Sequence, residues 1–195
     1  HSHNSSDRDF CSLSSSHANS QLIYIVRDPV QSLESWLLNG LEGQQNGKSL
    51  SMRQWLSATR KFFIMINEFN SPLKTVPLVV RLEDVKEKPE KTMSQVAAEM
   101  GISFDRSLLR TEFCGHQYWG PASKGPAITG FDRSAIDRPL GRLFGERDII
   151  ILETLFFPFA KKLGYARMSD VDFKLRMKQI RPWLDEPLEF ERALF

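Results

Sequence analysis

The chain has 195 residues, with 26 Lys and Arg against 24 Asp and Glu and a formal net charge of +2. That length suits one domain with a sizeable core and is short for two. Its apolar fraction of 41% and charged fraction of 26% are ordinary for a globular protein. So small a net charge argues against nucleic acid as a partner, although a few clustered cations can still hold an anionic ligand. No apolar run reaches the length of a membrane span.

Residues 1–20 are polar and serine-rich and carry no secretory signal. His1-Ser2-His3 reads as the remnant of an expression tag rather than as a metal site. The compartment is not legible. The two cysteines, Cys11 and Cys114, lack metal-ligand spacing and are read as free thiols, with pairing in an oxidising compartment left open.

The stretch from Gln21 to Trp36, QLIYIVRDPVQSLESW, carries the most information. Leu22 to Val26 is predicted as a strand covered on both faces. Arg27 stands where that strand ends. Asp28 then supplies an N-cap oxygen, Pro29 fits the first helical position, and the helix is expected to run toward Asn39. Ligands of open parallel sheets bind beyond the carboxyl ends of the strands, which aims Arg27 at a site. Its fork of donors can grip two phosphate oxygens at once. Val30, Leu33, Leu37 and Leu41 form the apolar stripe of the helix, and Ser35 lies roughly 170° away at about 100° per residue.

Gly43 to Gly47 is expected to be a mobile polar loop, and 42–50 a lid or a linker. Ser51 to Asn67 is predicted to be a helix with a Ser51/Gln54 capping box and an inward face of Met52, Trp55, Thr59, Phe62, Phe63 and Ile66. Leu78 to Arg81 is predicted as a second buried strand. Glu83 and Asp84 read as an acidic pair at a helix N-terminus, favoured by the dipole, in preference to an acid–base pair. Pro89 to Met100 is predicted helical with Met93, Val96, Ala97 and Met100 inward and Gly101 as its stop. Phe113 to Ser134 reads as a long loop, in which His116 is a surface histidine and Trp119 either stacks on a ring or packs in the core. Glu146 to Leu163 is a helix with Ile149, Leu152, Phe156, Phe159 and Leu163 at core spacing and a kink at Pro158. From Ser169 the chain is an amphipathic, charged helical tail containing Trp183. The organisation is thus a polar segment 1–20, an α/β domain over 21–168 and a tail over 169–195.

Arg-Asp-Pro, five residues and then Ser35 resembles the 3′-phosphate-binding motif of sulfotransferases that use 3′-phosphoadenosine 5′-phosphosulfate (PAPS). Three further passages resemble the same family: Val79 to Val85 with Lys88-Pro89-Glu90, Gly101 to Leu108, and Leu163-Gly164-Tyr165. The similarity spans roughly Gln21 to Tyr165, and the order of the passages makes it specific. The resemblance implies that Arg27 and Ser35 bond to the 3′-phosphate. Ser123-Lys124-Gly125 resembles the family's "SKGR" closing loop, with Pro126 in place of the arginine, and so joins the implied nucleotide-binding set. A lysine there delivers a point charge, and the glycine lets backbone N–H groups approach phosphate oxygens.

The implied fold is α/β, the P-loop-type sulfotransferase fold with a parallel sheet, incomplete at its N-terminal side. No glycine precedes Gly40, and no G-x-x-x-x-G-K-[ST] loop occurs in the chain to hold the 5′-phosphosulfate. The expectation is an enzyme that, in complete form, moves a sulfuryl group from PAPS to a hydroxyl or amine on a small-molecule or glycan acceptor. It needs no metal, and no residue here is assigned as catalytic; His17 lies too close to the strand to inherit the role of base. The exposed sheet edge would be met by a preceding half or by a second copy in a homo-oligomer. Two rivals remain: a non-catalytic sulfotransferase-like module that binds nucleotide or docks a protein through its tail, and a relative of nucleotide or sugar kinases. The second lacks an acidic magnesium-binding strand end, since Arg27 takes that place.

Overall fold

A computed structural model describes residues 23–45, 78–113, 115–117, 130–131, 133 and 136–192. The expected helix over Ser51–Asn67, both cysteines, Trp119 and the segment Ser123-Lys124-Gly125 lie outside these residues. The described chain is a mixture of helices and short strands that divides into two compact units.

The strand-bearing unit holds residues 23–27 and 78–138. Strand β1 (Ile23–Val26) pairs in parallel with β2 (Leu78–Arg81), in the register Ile23↔Leu78, Tyr24↔Val79, Ile25↔Val80 and Val26↔Arg81. Parallel pairing demands a long crossover connection, and the fifty-odd residues between the strands supply it. Both strands form where the sequence places them. Their burial is less complete than expected: Val26 and Val80 are buried, whereas Ile23 and Val79 are exposed and Ile25 is 64% exposed. Apolar runs of this kind report strand propensity, and coverage depends on what packs against each face.

Helix α2 (Leu82–Glu87) follows β2 directly, with Glu83 and Asp84 in its first turn. Helix α3 (Pro89–Glu99) buries Thr92, Val96 and Ala97, and the Thr92 hydroxyl donates to the Asp84 carbonyl at 2.9 Å. Its end is a Schellman motif: Ile102 N–H reaches Ala97 O and Gly101 N–H reaches Ala98 O, each at 3.0 Å. Gly101 takes the left-handed φ of 69° that this stop requires. A 3₁₀ turn (Arg106–Leu109) is capped by Asp105, whose carboxylate accepts Ser107 N–H at 2.7 Å. The Ser107 hydroxyl, and after it this backbone N–H, hold the Asp105 carboxyl below its usual pKa.

The long loop expected from Phe113 begins instead with a hairpin of β3 (Glu112–Phe113) and β4 (His116–Gln117), paired antiparallel. Gly115, at φ 78°, makes the tight reversal available. Two-residue strands leave too short an alternation to be read from sequence.

The helical unit holds residues 28–45 and 139–192. Helix α1 (Pro29–Gln45) is longer than expected and carries Gly43, Gln44 and Gln45, the start of the presumed polar loop, as helix. Glycine in a helix costs about 1 kcal/mol against alanine, which weakens a helix without ending it. Helix α4 (Glu146–Leu155) and helix α5 (Phe157–Lys162) form one interrupted element, broken at Phe156. Pro158 is the cause, because it has no N–H for the carbonyl of Thr154 and its ring crowds that carbonyl. Helix α5 ends in a second Schellman motif, with Tyr165 N–H on Ala160 O at 2.6 Å, Gly164 N–H on Lys161 O at 3.3 Å, and Gly164 at φ 75°. Leu163-Gly164-Tyr165 is therefore a helix stop whose two flanking side chains are both buried.

The tail forms helix α6 (Asp170–Ile180), a 3₁₀ turn (Arg181–Asp185) and helix α7 (Glu189–Arg192). Val30, Leu33 and Leu37 pack with Phe144, Leu152, Phe156 and Phe190 in one core cluster. Phe144 and Phe190 meet edge to face at 5.2 Å, and Phe157 stacks on Phe173 at 4.6 Å. Ile149 packs partly buried against the cluster, and Phe159 and Leu163 are buried, as the spacing predicts. Among the described residues no helix is long and apolar enough to cross a membrane.

Candidate anion site at the strand-to-helix turn

The turn after β1 is built as its residues dictate. Val26 ends the strand, Arg27 follows half-buried, and Asp28 begins the helical unit. The Asp28 Oδ1 accepts the Gln31 N–H at 2.9 Å, which satisfies one of the orphan donors of the first turn. Pro29 occupies the first helical position, where a missing N–H does no harm, and Ser32 N–H bonds to Asp28 O at 2.9 Å.

Ser35 lies two turns into α1 and is half-buried, off the buried stripe of Val30, Leu33 and Leu37. Arg27 thus belongs to the strand-bearing unit and Ser35 to the helical one. Ser123, Lys124 and Gly125 fall outside the described residues. His116 is exposed on β4, as a surface histidine should be. Glu83 and Asp84 occupy the first turn of α2, where the helix dipole favours carboxylates, and Asp84 Oδ2 lies 3.8 Å from Arg81 Nε. Among the described residues no cluster of three His, Cys, Asp or Glu side chains could hold a metal ion.

Three groups around the turn escape sequence reasoning. Arg167 donates through Nη2 to Asp28 Oδ2 at 3.0 Å and through Nη1 to Glu153 Oε1 at 3.1 Å. Arg176 Nη1 reaches the other oxygen of Glu153 at 3.3 Å. The result is an alternating chain of charges from the turn, through the segment after α5 and helix α4, to helix α6. No local pattern announces it, because Asp28 and Arg167 are 139 residues apart. Beside it, Pro29, Phe157, Tyr165 and Met168 help to line a cavity of about 20 Å³, room for about one water molecule.

Glu34, next to Ser35, is also missed. It is only 1% exposed, and its Oε1 accepts backbone N–H groups from Gly141 at 3.0 Å, Leu143 at 2.9 Å and Phe144 at 3.4 Å. The available signal is its position on the apolar stripe, one turn after Val30 and one before Leu37, where a carboxylate must find donors.

No family model matches the chain, and no curated protein matches it. Among solved structures, it is similar to a sulfotransferase domain from the curacin biosynthetic pathway, with 20% sequence identity and a TM-score of 0.42. The match covers 64% of this chain and 50% of that one, so the chain spans about half the length of that structure.

Proposed function

We propose that this chain supplies the 3′-phosphate-binding part of a PAPS-dependent sulfotransferase. The observation that carries the reading is the turn itself: a parallel strand, Arg27 at its end, an Asp28 cap and a helix carrying Ser35. This is the local grammar that the R-D-P-x5-S spacing requires. Arg27 would grip two phosphate oxygens and the Ser35 hydroxyl would donate to a third. Lys124 and Gly125 would close over the nucleotide, the lysine as a point charge and the glycine because its lack of a side chain lets backbone N–H groups approach phosphate oxygens.

In the reaction a nucleophilic hydroxyl or amine of the acceptor attacks sulfur, the bond from sulfur to the bridging phosphate oxygen breaks, and 3′-phosphoadenosine 5′-phosphate departs. The acceptor's proton passes to a base. Holding the 3′-phosphate far from sulfur contributes by orienting the donor, so that remote binding energy appears as geometry at the reacting atom. The acceptor class is a small molecule or a glycan.

Calorimetric titration tests the reading. The chain should bind 3′-phosphoadenosine 5′-phosphate and bind 5′-AMP much more weakly, and Arg27→Ala should erase the difference. A folded sample that binds neither nucleotide, or both alike, overturns it.

A further inference from the structure

We propose that the outward face of helix α6 is a docking surface for an acidic amphipathic helix of a partner protein. The inference lies wholly within the helical unit and is independent of the nucleotide reading.

Helix α6 is apolar on two sides. At about 100° per residue, Phe173, Met177 and Ile180 share one side. Phe173 stacks there on Phe157, and Ile180 is fully buried. Val171 and Leu175 stand on the opposite side, one turn apart, and are 67% and 60% exposed. Scattered surface aliphatics are ordinary. These two, however, share their strip with Lys174 and Lys178, and Arg181 stands at its margin, all three exposed. Val171, Lys174, Leu175 and Lys178 follow the i, i+3, i+4, i+7 spacing by which one helix presents anchors to another.

The charges select the occupant. Other cations of the helical unit face carboxylates of the same chain: Lys161 on Asp170, Arg147 and Arg192 on Glu186, Arg167 and Arg176 on Glu153. Lys174, Lys178 and Arg181 have no such partner among the described residues. The two acids that begin α6 are already engaged, Asp170 by Lys161 and Asp172 in the Ser169 cap. Two aliphatic anchors thus lie amid positive charge that the unit does not neutralise. A second copy of the same face would set lysine against lysine, which is repulsive. An acidic helix with aliphatic residues at matching spacing would cover Val171 and Leu175 and bring carboxylates to the lysines. A lipid surface fits less well, because the strip carries no aromatic side chain and only two aliphatic ones.

Fluorescence anisotropy with the full chain tests the proposal. One probe is a synthetic helical peptide with leucines at i and i+4 flanked by glutamates; the other has lysines in place of the glutamates. The chain should bind the acidic peptide, more weakly as salt rises, and leave the basic one free. Leu175→Ser should remove that binding. The double variant Lys174→Glu, Lys178→Glu should lower affinity for the acidic peptide about tenfold and gain affinity for the basic one. All three side chains are exposed, so thermal midpoints should stay near the wild-type value and a loss would report the face rather than folding. No binding of either peptide, or equal binding of both, overturns the proposal. Binding to phosphatidylserine vesicles without binding of the acidic peptide would assign the face to lipid, and dimerisation lost with Leu175→Ser would assign it to a second copy; either result overturns it as well.

Discussion

Glu34 on α1 and Leu143 in the segment before α4 are joined by a hydrogen bond of 2.9 Å from the Leu143 N–H to Glu34 Oε1, the shortest of three that this oxygen accepts. A buried carboxylate is tolerated only when donors replace water, and here backbone amides do so. Glu34 Oε2 lies 3.9 Å from Arg142 Nε, an exposed partner that adds little. Glu34→Leu should destabilise the chain by about 3 kcal/mol or more, because backbone N–H groups lose their acceptor in a buried place. Glu34→Gln keeps one carbonyl oxygen for them and should cost about 1 kcal/mol. Midpoints of chemical denaturation would check both, and equal losses would contradict the account.

Asp148 plays the same part for the tail. It is fully buried, and its two oxygens accept the N–H groups of Glu189 at 2.7 Å and Phe190 at 2.9 Å, which places Phe190 in the core. Arg147 adds bonds to the carbonyls of Trp183 and Pro187 and lies over the Trp183 ring. Asp148→Ala should cost about 3 kcal/mol and release the tail. Faster amide exchange across residues 186–192, with α1 still protected, is the expected signature.

The cap of α6 sets an acid limit. Asp172 accepts from the Ser169 hydroxyl at 2.7 Å and its N–H at 3.3 Å, and Asp172 N–H returns a bond to Ser169 Oγ at 3.1 Å. The Ser169 hydroxyl, then its backbone N–H, hold the Asp172 carboxyl below its usual pKa of 3.8. A depressed folded-state pKa means that the stabilisation is present above the unfolded value and fades as pH falls through the folded one. Protection of the first-turn amides of α6 should therefore hold at pH 5 to 7 and weaken below about 4. Asp172→Asn should flatten that dependence.

Gly101, which has no Cβ, adopts without strain a left-handed φ that L-residues reach only at a cost. A Cβ there would meet nothing within 4 Å, so Gly101→Ala tests backbone conformation alone. With φ at 69° it should cost about 1–2 kcal/mol, and Gly101→Asn less. Thermal midpoints of the two variants should fall in that order.

On the proposed reading, Ser35→Ala removes one hydroxyl bond to a phosphate oxygen. A charge-assisted bond of about 1.5–3 kcal/mol corresponds to roughly a 10- to 100-fold loss in affinity for the 3′-phosphorylated nucleotide. The loss of Lys124 by Lys124→Ala should weaken binding and make what remains less sensitive to salt. If Ser35→Ala left the affinity unchanged, the serine would be a solvated helix residue and no more.

Much of the local structure was legible in the sequence. β-branched residues over 22–26 and 78–81, the Asp28-Pro29 start, the Gly101 stop and the Pro158 break each act within a few residues of chain, so propensity and sterics decide them there. The apolar spacing of Val30, Leu33 and Leu37, and of Leu152, Phe156, Phe159 and Leu163, likewise predicts what is buried. The hairpin at Glu112 to Gln117 and the exposure of Ile25 were not legible, because short pairings and face coverage depend on neighbours distant in sequence. The same holds for the charged groups. Glu34 with Gly141 to Phe144, Asp148 with Glu189 and Phe190, and Asp28 with Arg167 are joined over separations of 41 to 139 residues. By itself the sequence determined which segments become strand or helix and which residue types stand at the turn after β1. Only the tertiary structure decided which buried carboxylates find donors, since that satisfaction requires chain segments that no local rule brings together.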